Sequence, residues 1–144
     1  MIGLETAASA LSYIALALFL GQLVAASFLL PQGQPATLRR LLLKWATASL
    51  ILFLLVSVAS LILQGSKLQR GFPSSDLLWR YLTLTQSGQV WLAREIYGAL
   101  LVLLMALLTR KNAGGNVLRA AALFALPLIV SRSLTSHAVA VASK

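Results

Sequence analysis

The feature that most constrains this chain is a set of four long apolar blocks, running roughly from Leu4 to Leu30, Leu38 to Gln64, Val90 to Leu108 and Leu118 to Val141. Each reaches the length of about 20 residues that an α-helix needs to cross about 30 Å of hydrocarbon. Lipid offers no partner to a backbone N–H or C=O, so a spanning segment must satisfy those groups within itself or in a closed barrel. None of the blocks alternates as a barrel strand does, which leaves helices. The expected fold is all-α, an integral membrane bundle of four transmembrane helices forming a single domain over residues 1–144.

Composition supports lipid as the solvent, with 59% hydrophobic and 10% charged residues and a mean hydropathy of +0.87. Twelve Lys and Arg stand against three Asp and Glu, a net charge of +9 that in a soluble chain would raise nucleic-acid binding. Here the positive charges fall between apolar blocks, as expected for anchoring against anionic head groups, and no nucleic-acid partner is expected. The absence of cysteine excludes disulfides, iron–sulfur clusters and thiolate metal sites. The first block opens with Glu5 and no Lys or Arg, and its core exceeds the apolar region of a signal peptide, so it reads as a retained helix.

Pro31, Gly33 and Pro35 close the first helix, and Asn112, Gly114 and Gly115 make a tight link between the last two. Short links imply antiparallel neighbours. The two short loops hold Arg39, Arg40, Lys44, Arg110, Lys111 and Arg119 with no acid among them, which predicts that they face the cytoplasm and that both termini lie outside. In the longer second loop, Pro73, Ser74 and Ser75 begin a short helix through Asp76-Leu77-Leu78-Trp79-Arg80-Tyr81-Leu82, with Asp76 near its positive end. Trp79 and Tyr81 suit the head-group level, so this helix is expected along the outer interface. Trp45 and Trp91 read as interfacial anchors, and Gly21 with Ala25 as a close-approach face, with Gly98 a weaker second.

Ionisable residues inside a membrane helix are the informative ones, because each costs about 2.5 to 3.5 kcal/mol at mid-helix. Arg94 and Glu95 lie about 6 to 8 Å inside the third helix, and Arg132 about 12 Å inside the fourth, with the single histidine, His137, about one turn from its edge. Adjacent helical residues point about 100° apart, so Arg94 and Glu95 are expected to face different partners, with Glu95 as counter-ion to Arg132. These charges either fix helix packing or build a site. Ser133 lies one turn from His137 and can hold one ring nitrogen, leaving the other for a metal, a proton, or simply backbone or water.

Two motifs carry a family likeness. The run Leu84-Thr85-Gln86-Ser87-Gly88-Gln89-Val90-Trp91-Leu92-Ala93-Arg94 resembles the segment of the copper resistance protein D family in which a threonine and a glycine precede a Trp- and Arg-bearing helix. Ser133-Leu134-Thr135-Ser136-His137-Ala138 is similar to that family's Ser-x-x-Gly-His-Ala motif, with Ser136 in place of the glycine. The likeness spans nearly the whole chain and is to the family's N-terminal four-helix half, which implies a truncated or minimal member. It implies a multi-pass bacterial plasma-membrane protein handling or transporting copper at its outer face, with His137 as a metal ligand and Glu95 or Glu5 assisting. Copper favours Met, Cys and His, and the chain has one His and two Met, so the missing ligands are expected from a second copy or another subunit.

A different class of function fits the same residues. The chain is then an accessory subunit of a respiratory or photosynthetic membrane complex, with His137 binding a haem or a chlorophyll-type pigment and Arg94 or Arg132 meeting an anionic group of the ring. No enzyme activity is expected, because no nucleophile has an adjacent base and no two acids converge.

Overall fold

The computed structural model describes residues 2–30, 36–69, 73–111 and 115–142, with the side chains of Ile2, Glu5, Ala36, residues 67–69, Gly115 and residues 132–142 outside that description. Among the described residues all regular structure is helical, in the order α1 (Ile2–Val24), a π-helical turn (Ala25–Leu29), α2 (Ala36–Gln69), α3 (Ser75–Leu84), α4 (Gln86–Arg110) and α5 (Gly115–Ala142). Three segments, Thr6–Leu29, Thr37–Ser66 and Gln86–Arg110, are long and apolar enough to cross a membrane, and α5 adds the shorter apolar run Asn116–Ser131.

Each apolar block is a helix, but the ends run further than hydropathy alone indicates. Helix α4 begins at Gln86 rather than near Val90 because Thr85 caps it, its Oγ1 accepting from the Gly88 N–H at 3.0 Å. The cap makes the polar turn Gln86 to Gln89 helical, which apolar counting overlooks. Helix α2 continues to Gln69, and its 34 residues measure about 51 Å, well beyond the hydrocarbon thickness. Its far end supports α3, since a Cβ built on Gly65 would stand 3.0 Å from Pro73 Cβ and 3.3 Å from Leu78 Cδ2. The expected helix start at Ser74 is present, with Ser74 Oγ accepting from the Leu77 N–H at 3.3 Å and Asp76 in the first turn.

The core follows from helical spacing. Ser12, Leu16, Phe19, Leu23 and Ala26 recur every three or four residues and are buried, and they meet the α2 stripe Leu43, Leu50, Phe53 and Ser57. Met105 of α4 and Leu118 and Leu128 of α5 complete one apolar cluster. Leu18, Leu55, Leu100 and Phe124 remain exposed on the outside, where a soluble protein would be polar and lipid is the matching solvent.

Two side chains stitch α5 to its neighbours. Ser27 Oγ is shared between the carbonyls of Leu23 and Leu118, joining the π turn to the start of α5. The Tyr97 hydroxyl donates to the Phe124 carbonyl, beside the point where Pro127 withholds an N–H from the Leu123 carbonyl.

The glycines depart from expectation. Gly21 is exposed and a Cβ built on it meets nothing within 4 Å, so the first helix does not use it for close approach. Sequence spacing identifies a pair of small residues but not the face they occupy. Gly98, the weaker candidate, is the buried one, with a built Cβ 2.5 Å from Leu54 Cδ2. Because Leu54 can change rotamer, Gly98→Ala is expected to cost only about 1 kcal/mol, the mild end of overpacking, as a small drop in unfolding temperature in detergent.

Candidate functional site

Toward the end where α1 begins, the apolar stripes give way to polar side chains. On α2 the residue one turn beyond Phe53 is Ser57, which lies on the buried stripe at 3% exposure. Its Oγ accepts two hydrogen bonds from α4, from Trp91 Nε1 at 3.1 Å and from Arg94 Nη2 at 2.6 Å. Trp91, which sequence reasoning makes an interfacial anchor, is thus half-buried and tied to a second helix. Arg94 is 4% exposed, and its guanidinium carbon stands 5.8 Å from the centroid of the Phe53 ring, within cation–π range.

Glu95 Oε1 lies 3.4 Å from Arg94 Nη2, both side chains being largely shielded. Arg94 turns to α2, as expected of one member of the pair, and Glu95 also reaches back toward Arg94. Side chains of this length bridge the 100° between neighbours on a helix, and a shielded ion pair costs far less than two separate charges.

Ser12 belongs to the same layer. Gln22 of α1 and Ser49 of α2 stand side by side, 3.4 Å between Gln22 Oε1 and Ser49 Oγ. From that pair Ser12 lies about 15 Å along α1 and Ser57 about 12 Å along α2, in the same direction because the helices are antiparallel. Ser12 is 2% exposed, and its Oγ has no hydrogen-bond partner among the described residues.

Of the residues singled out as metal ligands or ion-pair members, Arg94 and Glu95 are brought together, while the side chains of His137, Glu5 and Arg132 lie outside the described residues, and with them the expected Glu95–Arg132 pair. The sequence reading passed over Ser57, Phe53 and Ser12. The available signal was a serine placed on an otherwise apolar stripe at helical spacing.

The described donors do not by themselves fit a copper ion. A guanidinium, hydroxyls, an indole N–H and one carboxylate already paired with Arg94 supply neither sulfur nor imidazole. Met105 is fully buried in the apolar cluster, about 15 Å along α4 from Glu95. Among the described residues no three His, Cys, Asp or Glu side chains converge.

Long apolar helices, lipid-compatible outer faces and a shielded Arg94 bonded across to α2 define a helical membrane protein. Its sequence matches the family described as copper resistance protein D-like, N-terminal domain, over residues 3–143, and the chain belongs to that family. No curated protein and no solved structure matches it.

Proposed function

We propose that this protein handles copper at the membrane, with the copper ion as cargo bound at the end of the bundle where α1 begins. The observation that carries this reading is the family match over residues 3–143, which includes both the Trp91–Arg94 segment and the His137 motif. His137 serves as a ligand with Glu95 or Glu5 assisting, and a second copy or another membrane subunit supplies the softer donors that this chain lacks. The Arg94–Ser57–Trp91 contacts support the reading by fixing α4 against α2, so that Glu95 is held at a set height in the bundle. The protein acts by binding and passing on its cargo rather than by catalysing a reaction.

The reading extends to topology. Helix α5 is the fourth span, its 28 residues measuring about 42 Å. Helix α3, with no buried residue and with Trp79 64% and Leu84 75% exposed, lies along the outer interface. The acid-free, basic α1–α2 and α4–α5 links face the cytoplasm of a bacterial inner membrane, and both termini face outward.

The test is copper content by elemental analysis of protein purified in mild detergent, loaded with copper and desalted, beside a His137→Ala variant. Retained copper that the variant loses is the expected result. No retained copper at any stoichiometry, or equal copper in both, would overturn the proposal.

The sparse donor set among the described residues favours a second reading, an accessory subunit of a larger respiratory or photosynthetic complex. It predicts co-purification with larger membrane proteins, and a visible absorbance band if His137 holds a haem or a chlorophyll-type pigment. A colourless protein that purifies alone and binds copper would dispose of it.

A further inference from the structure

The opposite end of the bundle carries a second charged arrangement, independent of copper. Leu43 of α2, Leu108 of α4 and Leu118 of α5 belong to one apolar cluster, and the antiparallel run of the helices puts the starts of α2 and α5 and the end of α4 at the same end of the bundle. Arg39, Arg40, Lys44, Arg110, Lys111 and Arg119 all belong to these helix ends. The three acids of the chain are elsewhere, Glu5 near the start of α1, Asp76 in α3 and Glu95 in the first half of α4.

The position of the charges is unfavourable for the chain alone. The first turn of a helix has unpaired N–H groups and a partial positive charge, which cations nearby oppose. Arg39 and Arg40 sit in or next to the first turn of α2 and Arg119 next to that of α5, and neither helix has an acid in its first turn. Only Arg110 and Lys111, at the end of α4, meet a helix pole of the opposite sign.

Two of the arginines are also held in place. Arg39 is half-buried, and its Nε is shielded from solvent with no hydrogen-bond partner among the described residues. The Arg119 guanidinium lies over the Phe28 ring, 5.4 Å from its centroid. A ring takes the face of a guanidinium and leaves the in-plane N–H fork, the edge that matches a phosphate.

We propose that this end binds the phosphates of anionic phospholipids, with Arg39 on α2 and Arg119 on α5 as the principal contacts, each for its own head group, and the other four cations supplying attraction. A lipid is the better source of that phosphate than free phosphate, because Leu41 and Val117 are exposed beside these residues and offer acyl chains an apolar surface. The head groups would supply the negative charge that the starts of α2 and α5 lack.

The test measures thermal unfolding of the full chain in neutral detergent while phosphatidylglycerol, phosphatidylcholine or inorganic phosphate is added at equal phosphate concentration. Phosphatidylglycerol is expected to raise the unfolding temperature by about 3 °C or more, as a ligand bound only to the folded state does, and the other two are not. In an Arg39→Gln/Arg119→Gln variant at least half of that rise should vanish, while Arg80→Gln, on α3 at the other end, keeps it. An equal rise with phosphatidylcholine, or an undiminished rise in the double variant, overturns the proposal, and an equal rise with inorganic phosphate overturns the lipid as its source. Native mass spectrometry of the unaltered protein from micelles holding both lipids in equal amount needs no variant to fold. Retained phosphatidylglycerol in excess supports the site, and equal retention overturns it.

Discussion

Gly88→Ala is expected to destabilise the protein by about 3 kcal/mol or more, seen as a fall of roughly 6 to 12 °C in unfolding temperature in detergent. Helix propensity alone predicts the opposite sign, since alanine is favoured over glycine inside a helix by about 1 kcal/mol. Geometry decides against propensity here. A Cβ on Gly88 would lie 2.1 Å from the Tyr81 carbonyl oxygen and 2.8 Å from Leu82 Cα, and both neighbours are backbone. The contrast with Gly98 is instructive, because there the obstructing atom is the movable tip of Leu54. The α3–α4 corner is also locked from the other side, as Thr85 donates from Oγ1 to the Tyr81 carbonyl at 2.7 Å while accepting from Gly88. Relief of the clash must therefore swing α3 away from α4. An unchanged unfolding temperature would show that α3 does not rest on Gly88.

The second large effect concerns the shielded pair. Arg94→Met is expected to cost about 3 kcal/mol or more, because it strips Glu95 of its guanidinium and removes the bond to Ser57. The informative comparison is Arg94→Met combined with Glu95→Gln, which also removes the carboxylate charge that Arg94 faces. The double variant should be more stable than Arg94→Met alone, with a coupling of about 1 to 3 kcal/mol. Strictly additive losses would mean that the two side chains act separately, contrary to their 3.4 Å approach.

The helices were legible in the sequence because lipid leaves the backbone no alternative. The capped start of α4 and the extra length of α2 were not, since the first depends on one hydroxyl and the second on a packing surface that α3 provides. At the candidate site, Arg94 and Glu95 stood out by their cost in an apolar segment. Ser57 did not, because a serine in a membrane helix usually returns its hydrogen bond to its own backbone, as Thr47 and Ser60 do at 2.8 Å. Only the antiparallel register of α2 and α4 sets it beneath Trp91 and Arg94. Gly21 misled for a related reason, since a small residue marks a close approach only where another helix is present.

The π turn has a consequence for how this sequence tolerates length changes. A hydrogen bond from the Leu30 N–H to the Ala25 carbonyl, at 3.2 Å, spans five residues rather than four, which amounts to one extra residue wound into the tail of the first helix. Ala26 and Ser27 lie in this turn and are both buried. The helix engages its neighbours in two phases, one set by the stripe from Ser12 to Ala26 and a second that begins at Ser27 and reaches Leu118. Deleting Ala25 or Ala26 would merge the phases and turn Ser27 about 100° off α5, whereas substitutions of similar size there preserve the offset. The register of the first helix against α5 is thus set by the number of residues wound into this turn, and the Ser27 hydroxyl is what reads it.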